Sequence, residues 1–206
     1  MSDDEKKSLV RERLLSYADQ PEKIYTYGDY LTWPDDERYE IIDGKVYDMS
    51  AAPLRIHQEI LGELFVQFSN YLKGKPCKVY IAPFDVRIPE GDESEEEVKN
   101  VVHPDLSVFC DHGKLDEKGS KDAPDLVVEI VSPSTLKKDL SVKKALYERS
   151  GVQQYWLVYP SEKAVLVYEL DERDSYTKME SYGKEDTVKI GLFNDFTIEL
   201  KTVFED

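Results

Sequence analysis

The chain is poor in cysteine and histidine, and both shortages exclude kinds of chemistry. Its 206 residues contain only two cysteines, Cys77 and Cys110, and their spacing gives no recognisable disulfide framework. We therefore expect both to be reduced thiols of a cytoplasmic protein. Of the 3 histidines, His103 and His112 lack the spacing of zinc ligands, so no zinc site is expected.

Long apolar runs are also absent from the sequence. No run approaches the roughly 20 residues that a membrane-spanning helix needs. The first 19 residues are charged throughout, which is unlike a signal peptide. These absences predict an intracellular protein with no membrane partner.

Positive charge is scarce, with 27 Lys and Arg against 43 Asp and Glu and a formal net charge of −16. This balance argues against a protein that coats nucleic acid, because phosphate contacts need a basic surface. It does not exclude an enzyme that engages a polyanion through one local basic groove. Because 40% of the residues are hydrophobic, the chain can bury one sizeable core.

The order of polar and apolar segments predicts a helical arm over residues 1–25 and a single domain over 26–206. The arm contains a polar helix over 2–20, and a short helix over 26–31 opens the domain. A hairpin follows over 38–49 (RYEIIDGKVYDM), where Asp43-Gly44 is a two-residue turn signal. Six of the eight residues from 90 to 97 are acidic, which predicts a solvated, mobile loop because like charges oppose packing.

Hydrophobic periodicity predicts helices and strands in the rest of the chain. One amphipathic helix follows Pro53, with Ile56, Ile60, Leu64, Phe65, Phe68 and Leu72 at helical spacing, and a second covers 135–150. Strands are expected over 79–81, 85–88, 103–110, 126–131, 155–159, 165–169, 176–182 and 196–200. The predicted fold class is α/β (α+β), with a mixed central β-sheet flanked by helices and an N-terminal hairpin.

Glu129 interrupts the apolar run 125–132 (DLVVEIVS), a pattern typical of a strand buried on both faces. Desolvating a carboxylate there costs on the order of several kcal/mol unless a counter-charge compensates. Asp105 opens another apolar strand, and a divalent cation between the two carboxylates would relieve their repulsion. The alternative is structural: Asp105 hydrogen-bonds the loop after Pro104, and Glu129 pairs with a lysine.

A lysine on the helix after Glu129 is placed to reach the same centre. At about 100° per residue, Lys143 falls in the middle of an apolar stripe, with Asp139 one turn earlier. Lys144 instead projects toward the polar flank of the helix. The alternative is that Lys143 only neutralises Asp139 four residues away, or extends past the stripe to solvent. The apolar stripe consists of Leu136, Leu140, Leu146 and Tyr147.

These motifs together resemble the Uma-two family, which is assigned to the restriction endonucleases of the PD-(D/E)XK nuclease superfamily. The resemblance rests on 103–108 (HPDLSV), 125–135 (DLVVEIVSPST), Asp139, Lys143, Tyr147, 151–158 (GVQQYWLV) and the hairpin 38–49 with His57. It implies a restriction-endonuclease-like core. It departs from the superfamily pattern at one place, where Val131 stands instead of the lysine two residues after the acidic residue.

The resemblance also implies a set of site residues. Asp105, Glu129 and the backbone carbonyl of Ile130 would bind Mg²⁺ or Mn²⁺. Lys143 would replace the missing motif lysine and act with Asp105 and Glu129 as a catalytic residue. Glu40 and Asp85 match acidic positions of the family and are accessory candidates, each equally compatible with a structural role. His57 is a further accessory candidate, although its register with Leu61, Leu64 and Phe68 favours a histidine at the edge of the core.

Two functions are consistent with this reading. The first is a metal-dependent endonuclease that hydrolyses phosphodiester bonds of DNA, with weak, strongly salt-sensitive binding. The helical segment 134–150 is locally basic, which would favour such binding. The second is a catalytically inactive nuclease-like fold that serves as a binding or regulatory module, which Val131 and the acidic surface favour. A homodimer is expected for an enzyme that cuts two strands.

Overall fold

The computed structural model describes residues 23–34, 38–49 and 54–205. The polar helix predicted over 2–20 lies outside these residues. The division into an arm over 1–25 and a domain over 26–206 therefore stays a prediction. Within the described ranges, no helix is both long and apolar enough to cross a membrane.

The described residues form fourteen strands and five helices, and strands at 101–102, 115–116, 119–120 and 187–189 were not predicted. Its strands are β1 (Tyr39–Ile42), β2 (Lys45–Asp48), β3 (Lys78–Ile81), β4 (Asp85–Arg87), β5 (Val101–Val102), β6 (Leu106–Phe109), β7 (Leu115–Asp116), β8 (Gly119–Ser120), β9 (Leu126–Ile130), β10 (Gln154–Tyr159), β11 (Ala164–Glu169), β12 (Lys178–Gly183), β13 (Thr187–Lys189) and β14 (Thr197–Glu199). Its helices are α1 (Tyr27–Tyr30), α2 (Arg55–Leu72), α3 (Leu136–Lys138), α4 (Lys144–Arg149) and α5 (Leu200–Val203), with a π turn (Asp139–Lys143) and 3₁₀ turns at Glu95–Glu97 and His112–Lys114.

The strands form two six-stranded sheets and one small ribbon. The first sheet has the order β2-β1-β5-β4-β8-β7, and the second has the order β12-β11-β10-β9-β6-β3. Strands β13 and β14 make the ribbon. Both six-stranded sheets mix parallel and antiparallel pairs. The predicted α+β class with flanking helices is confirmed, but two mixed sheets stand where one central sheet was expected.

The N-terminal hairpin forms where the turn signal places it. Asp43 and Gly44 have φ angles of 52° and 71°, and positive values at both positions suit a two-residue turn that matches the strand twist. Ile42 pairs with Lys45 across this turn. A side chain at Gly44 would place its Cβ 2.4 Å from Cγ2 of Ile24, so glycine is required here for space as well as for conformation.

Strand β9 lies at the centre of the second sheet and is buried along its whole length. Leu126, Val128 and Ile130 face one way and join the core under α2. Val127 and Val131 face the other way, into a core shared with the first sheet and α4. Because side chains alternate along a strand, Glu129 points into this second core.

The cysteine prediction is wrong, because Cys77 and Cys110 form a disulfide. Cys77 immediately precedes β3 and Cys110 immediately follows β6. These strands pair antiparallel, with Lys78 opposite Phe109, so the next step of the register brings the two cysteines together. The sequence separation of 33 concealed this contact, because strand pairing is not local.

The acidic segment 90–97 is less free than a solvated loop. Glu95 accepts hydrogen bonds from the buried Arg87 and from Lys118, both at 2.8 Å. Glu93 accepts one from Lys99 at 2.6 Å. The segment therefore remains on the surface, but three cations attach it to the first sheet and its neighbours.

Candidate active site

The pairing of β6 with β9 sets the two predicted carboxylates side by side. Leu106 stands opposite Val128 in this antiparallel pair, and one further step of the register sets Asp105 opposite Glu129. Oδ2 of Asp105 accepts a hydrogen bond from the backbone N–H of Ile130 at 2.7 Å. The hydrogen bond fixes the Asp105 side chain against the end of β9, beside Glu129.

Glu129 is almost fully buried, at 4% exposure, and a lysine partly compensates its charge. Nζ of Lys143 donates to Oε1 of Glu129 at 2.8 Å. The hydroxyl of Tyr147 donates to the same oxygen at 3.0 Å. No described residue donates to Oε2, so one oxygen of the carboxylate is left for another partner.

Glu40 brings the first sheet into the same cluster. It lies on β1 with 0% exposure, and its Oε1 is 2.6 Å from Nζ of Lys143. The backbone N–H of His103 donates to Oε1 at 3.1 Å, and Nζ of Lys138 donates to Oε2 at 2.5 Å. Lys143 therefore bridges a carboxylate from each sheet, and we call Glu40, Glu129, Asp139, Lys138 and Lys143 the charged cluster.

The pKa values show that one lysine serves two buried carboxylates. Burial raises the pKa of Glu129 to about 8, with Lys143 opposing and Asp139, Asp105 and Glu40 adding to the rise. Burial also acts to raise the pKa of Glu40, but Lys143 and Lys138 outweigh it and lower the value to about 2. Glu40 is thus ionised at neutral pH, whereas Glu129 holds a proton until more positive charge reaches it.

Lys143 remains a cation although it is buried at 3% exposure. Burial acts to lower its pKa, but Glu129 and Glu40 outweigh burial and raise the pKa well above the ordinary value. Asp139, one turn earlier, lies 4.0 Å away and acts in the same direction. The prediction that Lys143 faces the centre agrees with this position, and the alternative of an extension to solvent does not.

His57 reaches the site from the first turn of α2. Its Nε2 lies 3.1 Å from Oδ1 of Asp105, and its Nδ1 is buried without a hydrogen-bond partner among the described residues. Both oxygens of Asp105 therefore have a neighbour. The edge-of-core position expected from the helical register is correct, and it places the ring against the candidate site.

Asp85 has no direct contact with the charged cluster and is linked to it through His103. It lies on β4, and its Oδ1 is 3.0 Å from Nε2 of His103. No described hydrogen bond joins it to Asp105 or Glu129. The structure thus brings Asp105, Glu129, Lys143, Glu40 and His57 into one connected group, whereas Asp85 reaches that group only through His103.

The oxygen atoms at the site suit a hard divalent cation, although the protein would supply only a few of its ligands. Among the described residues, no three His, Cys, Asp or Glu side chains are close enough together to hold a metal. Asp105, Glu129 and the carbonyl of Ile130 would instead supply two carboxylates and one backbone oxygen, which are the ligand types of Mg²⁺. Burial raises the pKa of Glu129 and the neighbouring carboxylates add to the rise, whereas a bound cation would act in the opposite direction.

Two site residues, Lys138 and Tyr147, were not predicted as partners of the carboxylates. Lys138 and Lys143 are five residues apart, which places them on different sides of a regular α-helix of 3.6 residues per turn. The π turn Asp139–Lys143 closes with a wider turn, and both lysines then reach Glu40. Leu140, predicted to be in the apolar stripe, is 38% exposed for the same reason.

The helical segment 134–150 offers less free positive charge than its composition indicates. Lys138 and Lys143 pair with buried carboxylates, and Lys144 lies 4.0 Å from Glu148. Arg149 pairs with Asp43 and with Glu90. Most of its cations therefore hold the fold together and only a minority can meet a phosphate.

Comparisons with known proteins agree with this fold. Residues 27–201 match the family described as "Uma2: Putative restriction endonuclease". The uncharacterized protein slr1290 of Synechocystis sp. is 31% identical over 137 residues, which cover 65% of this chain and 67% of the relative. A crystal structure from Anabaena variabilis, described as "a putative nuclease belonging to DUF820", superposes with a TM-score of 0.67 at 22% identity, covering 87% of this chain and 97% of that one. The family match supports a nuclease function, and the superposition supports the fold.

Proposed function

The chain belongs to the Uma2 family, and from this premise we propose that it is a Mg²⁺- or Mn²⁺-dependent endonuclease that hydrolyses phosphodiester bonds of DNA. One observation carries the proposal. Asp105 stands opposite Glu129 at the end of β9, and Nζ of Lys143 lies 2.8 Å from Glu129. Two carboxylates and a buried lysine at one point match the chemistry that phosphodiester hydrolysis requires.

Each side chain has a role that follows from its contacts. Asp105, Glu129 and the carbonyl of Ile130 would hold the cation, which when bound supplies an activated water and stabilises charge on the phosphate oxygens. Lys143, kept charged between two carboxylates, would orient the attacking water and neutralise charge that develops on the phosphate. Glu40 would act as a positioning residue that holds the ammonium of Lys143 in place.

The remaining expectations belong to the same proposal. Binding to DNA would be weak and salt-sensitive, because the net charge is −16 and few cations near the site are free. A homodimer would provide two active sites, one for each strand of duplex DNA. A cytoplasmic location is compatible with a nuclease of cellular DNA, although the reduced cysteines that first favoured it are not found.

A second candidate is a nuclease-like module that binds without catalysis. The observation that favours it is the small donor set, since no three metal-ligating side chains cluster among the described residues. Val131 occupies the motif position of the lysine and packs into the second core. In this alternative, Lys143 and Glu129 would serve only as a buried ion pair between two sheets.

A plasmid-nicking assay tests the proposal. Supercoiled plasmid is incubated with wild-type protein or with Glu129→Gln, each with and without Mn²⁺. We expect nicking only in the sample that contains both wild-type protein and Mn²⁺. Glu129→Gln should be inactive, because its amide removes a charged ligand and releases Lys143. In a parallel measurement, each protein is titrated with Mg²⁺ or Mn²⁺ in the absence of DNA, and its melting temperature is recorded. If neither Mg²⁺ nor Mn²⁺ stabilises the wild type more than Glu129→Gln, the second candidate replaces the first.

A further inference from the structure

A cavity of about 380 Å³ opens beside the charged cluster, on the first sheet. Its lining combines two aromatic rings, a cation, a carboxylate and an imidazole. These groups belong to Tyr30, Trp33, Arg38, Asp85 and His103. None of the roles described above for Asp105, Glu129 or Lys143 uses this cavity.

The cavity is connected to the candidate active site through His103. The backbone N–H of His103 donates to Glu40 at 3.1 Å, while the His103 side chain lines the cavity. Asp105 lies two residues further along the chain, which is at most about 7 Å in an extended backbone. A ligand in the cavity would therefore sit next to a phosphate held at Asp105 and Glu129.

The aromatic side of the cavity is rigid. Trp33 makes edge-on contacts with Tyr25, Tyr30 and Tyr39, with ring centroids 5.9, 5.7 and 5.3 Å apart. Tyr25 and Tyr39 are themselves buried. An indole held by three rings, but still partly exposed, is a pre-organised surface on which a flat ring can stack.

The polar side of the cavity offers one acceptor and one cation. Oδ1 of Asp85 is engaged by Nε2 of His103 at 3.0 Å, whereas no described residue donates to its Oδ2. The Asp85 carboxylate is one-quarter exposed. Arg38 is exposed and forms no ion pair with a described residue, so its guanidinium is available for a phosphate.

We propose that this cavity binds one unstacked nucleobase of the strand that the enzyme cuts, which deepens the proposed function and rests on it. The base stacks on Trp33 with its edge toward Tyr30, Arg38 contacts the adjoining phosphate, and Asp85 accepts a hydrogen bond from an exocyclic amino group. Adenine, cytosine and guanine carry such a group. Thymine offers only its ring N3–H, which lies between two carbonyl oxygens that a carboxylate repels. The site therefore selects amino-bearing bases over thymine, at a single position next to the cleaved bond.

Binding of short single strands to Glu129→Gln without metal tests this site separately from catalysis. The probes are fluorescein-labelled oligo(dA), oligo(dC), oligo(dT) and an abasic deoxyribose-phosphate oligomer, at low ionic strength. Oligo(dA) and oligo(dC) should bind about tenfold more tightly than oligo(dT), because the only donor of thymine, N3–H, lies between two carbonyl oxygens that repel the Asp85 carboxylate. Since Trp156 is fully buried and the chain has 2 tryptophans, quenching of tryptophan fluorescence reports on Trp33.

Three variants identify the parts of the site. Trp33→Ala should weaken binding of every base-bearing oligomer about tenfold, and Trp33→Phe should restore most of that binding because the stacking surface remains. Asp85→Asn should reduce the preference against oligo(dT) to within about twofold, because an amide offers both a donor and an acceptor. Arg38→Ala should weaken binding of every oligomer, the abasic one included, whereas the control Arg173→Ala should not, since Arg173 is an exposed arginine that pairs with Asp171 and does not line the cavity.

The outcomes separate this inference from the nuclease proposal. Equal binding of the abasic oligomer and oligo(dA), or an unchanged preference in Asp85→Asn, overturns the base site even if plasmid is nicked. Base-dependent quenching in a protein that never nicks plasmid supports the base site and removes the nuclease. Stacking without discrimination against thymine overturns the role of Asp85 and with it the proposed selectivity.

Discussion

At the scale of single residues, Lys143 controls the charge balance of the candidate site. Its ammonium pairs with both Glu129 and Glu40, at 2.8 and 2.6 Å, and these two residues come from different sheets. A buried ion pair is weak evidence for stability as a whole, but removing one partner exposes the cost of burying the other. The two flanking carboxylates therefore depend on this lysine.

Lys143→Met should lower the free energy of unfolding by about 3 kcal/mol, because it leaves the buried, ionised Glu40 with too little positive charge. Urea denaturation at neutral pH measures the loss. Lys144→Met is the matched control on the next residue, where the pair with Glu148 is long and partly exposed, and it should cost less than about 1 kcal/mol. Equal losses in the two variants would show that Lys143 contributes only packing.

The raised pKa of Glu129 makes stability depend on pH. Its ordinary value is 4.5, and burial raises the folded-state pKa to about 8. Between these values the unfolded chain has released the proton and the folded protein still holds it. The free energy of unfolding therefore falls as pH rises from about 4.5 to about 8, and this contribution is constant outside that window.

Glu129→Gln should remove this pH dependence, because an amide does not titrate. Thermal unfolding of both proteins in EDTA, from pH 5 to pH 8.5, measures it. We expect the melting temperature of Glu129→Gln to gain steadily on that of the wild type as pH rises. A difference that stays constant across this range would mean that Glu129 is ionised in the folded protein.

At the scale of elements, the π turn between α3 and α4 assembles the charged cluster. A regular helix would direct Lys138 away from Lys143, whereas the wider turn Asp139–Lys143 allows both lysines to reach Glu40. Single π turns inside α-helices occur frequently at functional sites. The hydrogen bond from the Tyr155 hydroxyl to the carbonyl of Asp139, at 3.0 Å, supports the turn from β10.

Deletion of Leu140 should convert the π turn into a regular helical turn and rotate Lys138 away from Glu40. We expect a loss of about 1–3 kcal/mol, because Oε2 of Glu40 is left without its donor, together with loss of plasmid nicking. Urea denaturation and the nicking assay measure the two effects. Leu140→Ala keeps the turn and should change stability by only about 0.5 kcal/mol, since the side chain is largely exposed. A deletion no more costly than this substitution would contradict the role of the turn.

At the scale of the whole molecule, the acidic chain has to meet a polyanion. The formal net charge is −16, and ion pairs within the fold use most of the cations of 134–150. Lys137 is exposed on this segment, so it is among the side chains available to a phosphate. Affinity for duplex DNA should therefore rest on a small number of phosphate contacts.

Filter binding measures the affinity of Glu129→Gln for duplex DNA over a salt series. The logarithm of the binding constant plotted against the logarithm of the salt concentration should have a slope between about −2 and −4, since each phosphate contact adds about −0.9. Lys137→Ala should reduce the slope by about one contact. Lys201→Ala is the control, because Lys201 is exposed on α5, on the α2 side of the second sheet, and pairs with Glu185. Tight binding that does not respond to salt would contradict the electrostatic picture.

Part of the site follows from local pattern alone. The apolar run around Glu129 identifies a buried strand, and the Pro104-Asp105 pair begins the strand beside it. The periodicity of 136–147 turns Lys143 inward, and the structure does the same. These inferences hold because burial imposes a period of two on strands and about 3.6 on helices, which neighbouring residues display directly.

Three other features do not follow from local pattern: the pairing of Cys77 with Cys110, the π turn and the position of Glu40. Each depends on which strands become neighbours or on a local change in helix pitch. Glu40 is separated from Lys143 by more than half of the described chain, and its contact exists only because the two sheets face each other. Nothing in the residues next to Glu40 distinguishes this partner from solvent.

The sequence by itself determined the longer helices and strands, the burial of Glu129 and the inward direction of Lys143, because all three follow from the spacing of apolar residues. The tertiary structure alone decided that Lys143 is shared between Glu129 and Glu40, that Lys138 joins it, and that the two cysteines meet. The physical reason is that strand register and sheet packing bring together residues distant in sequence. Charge compensation between such residues can only be assigned once their positions are known.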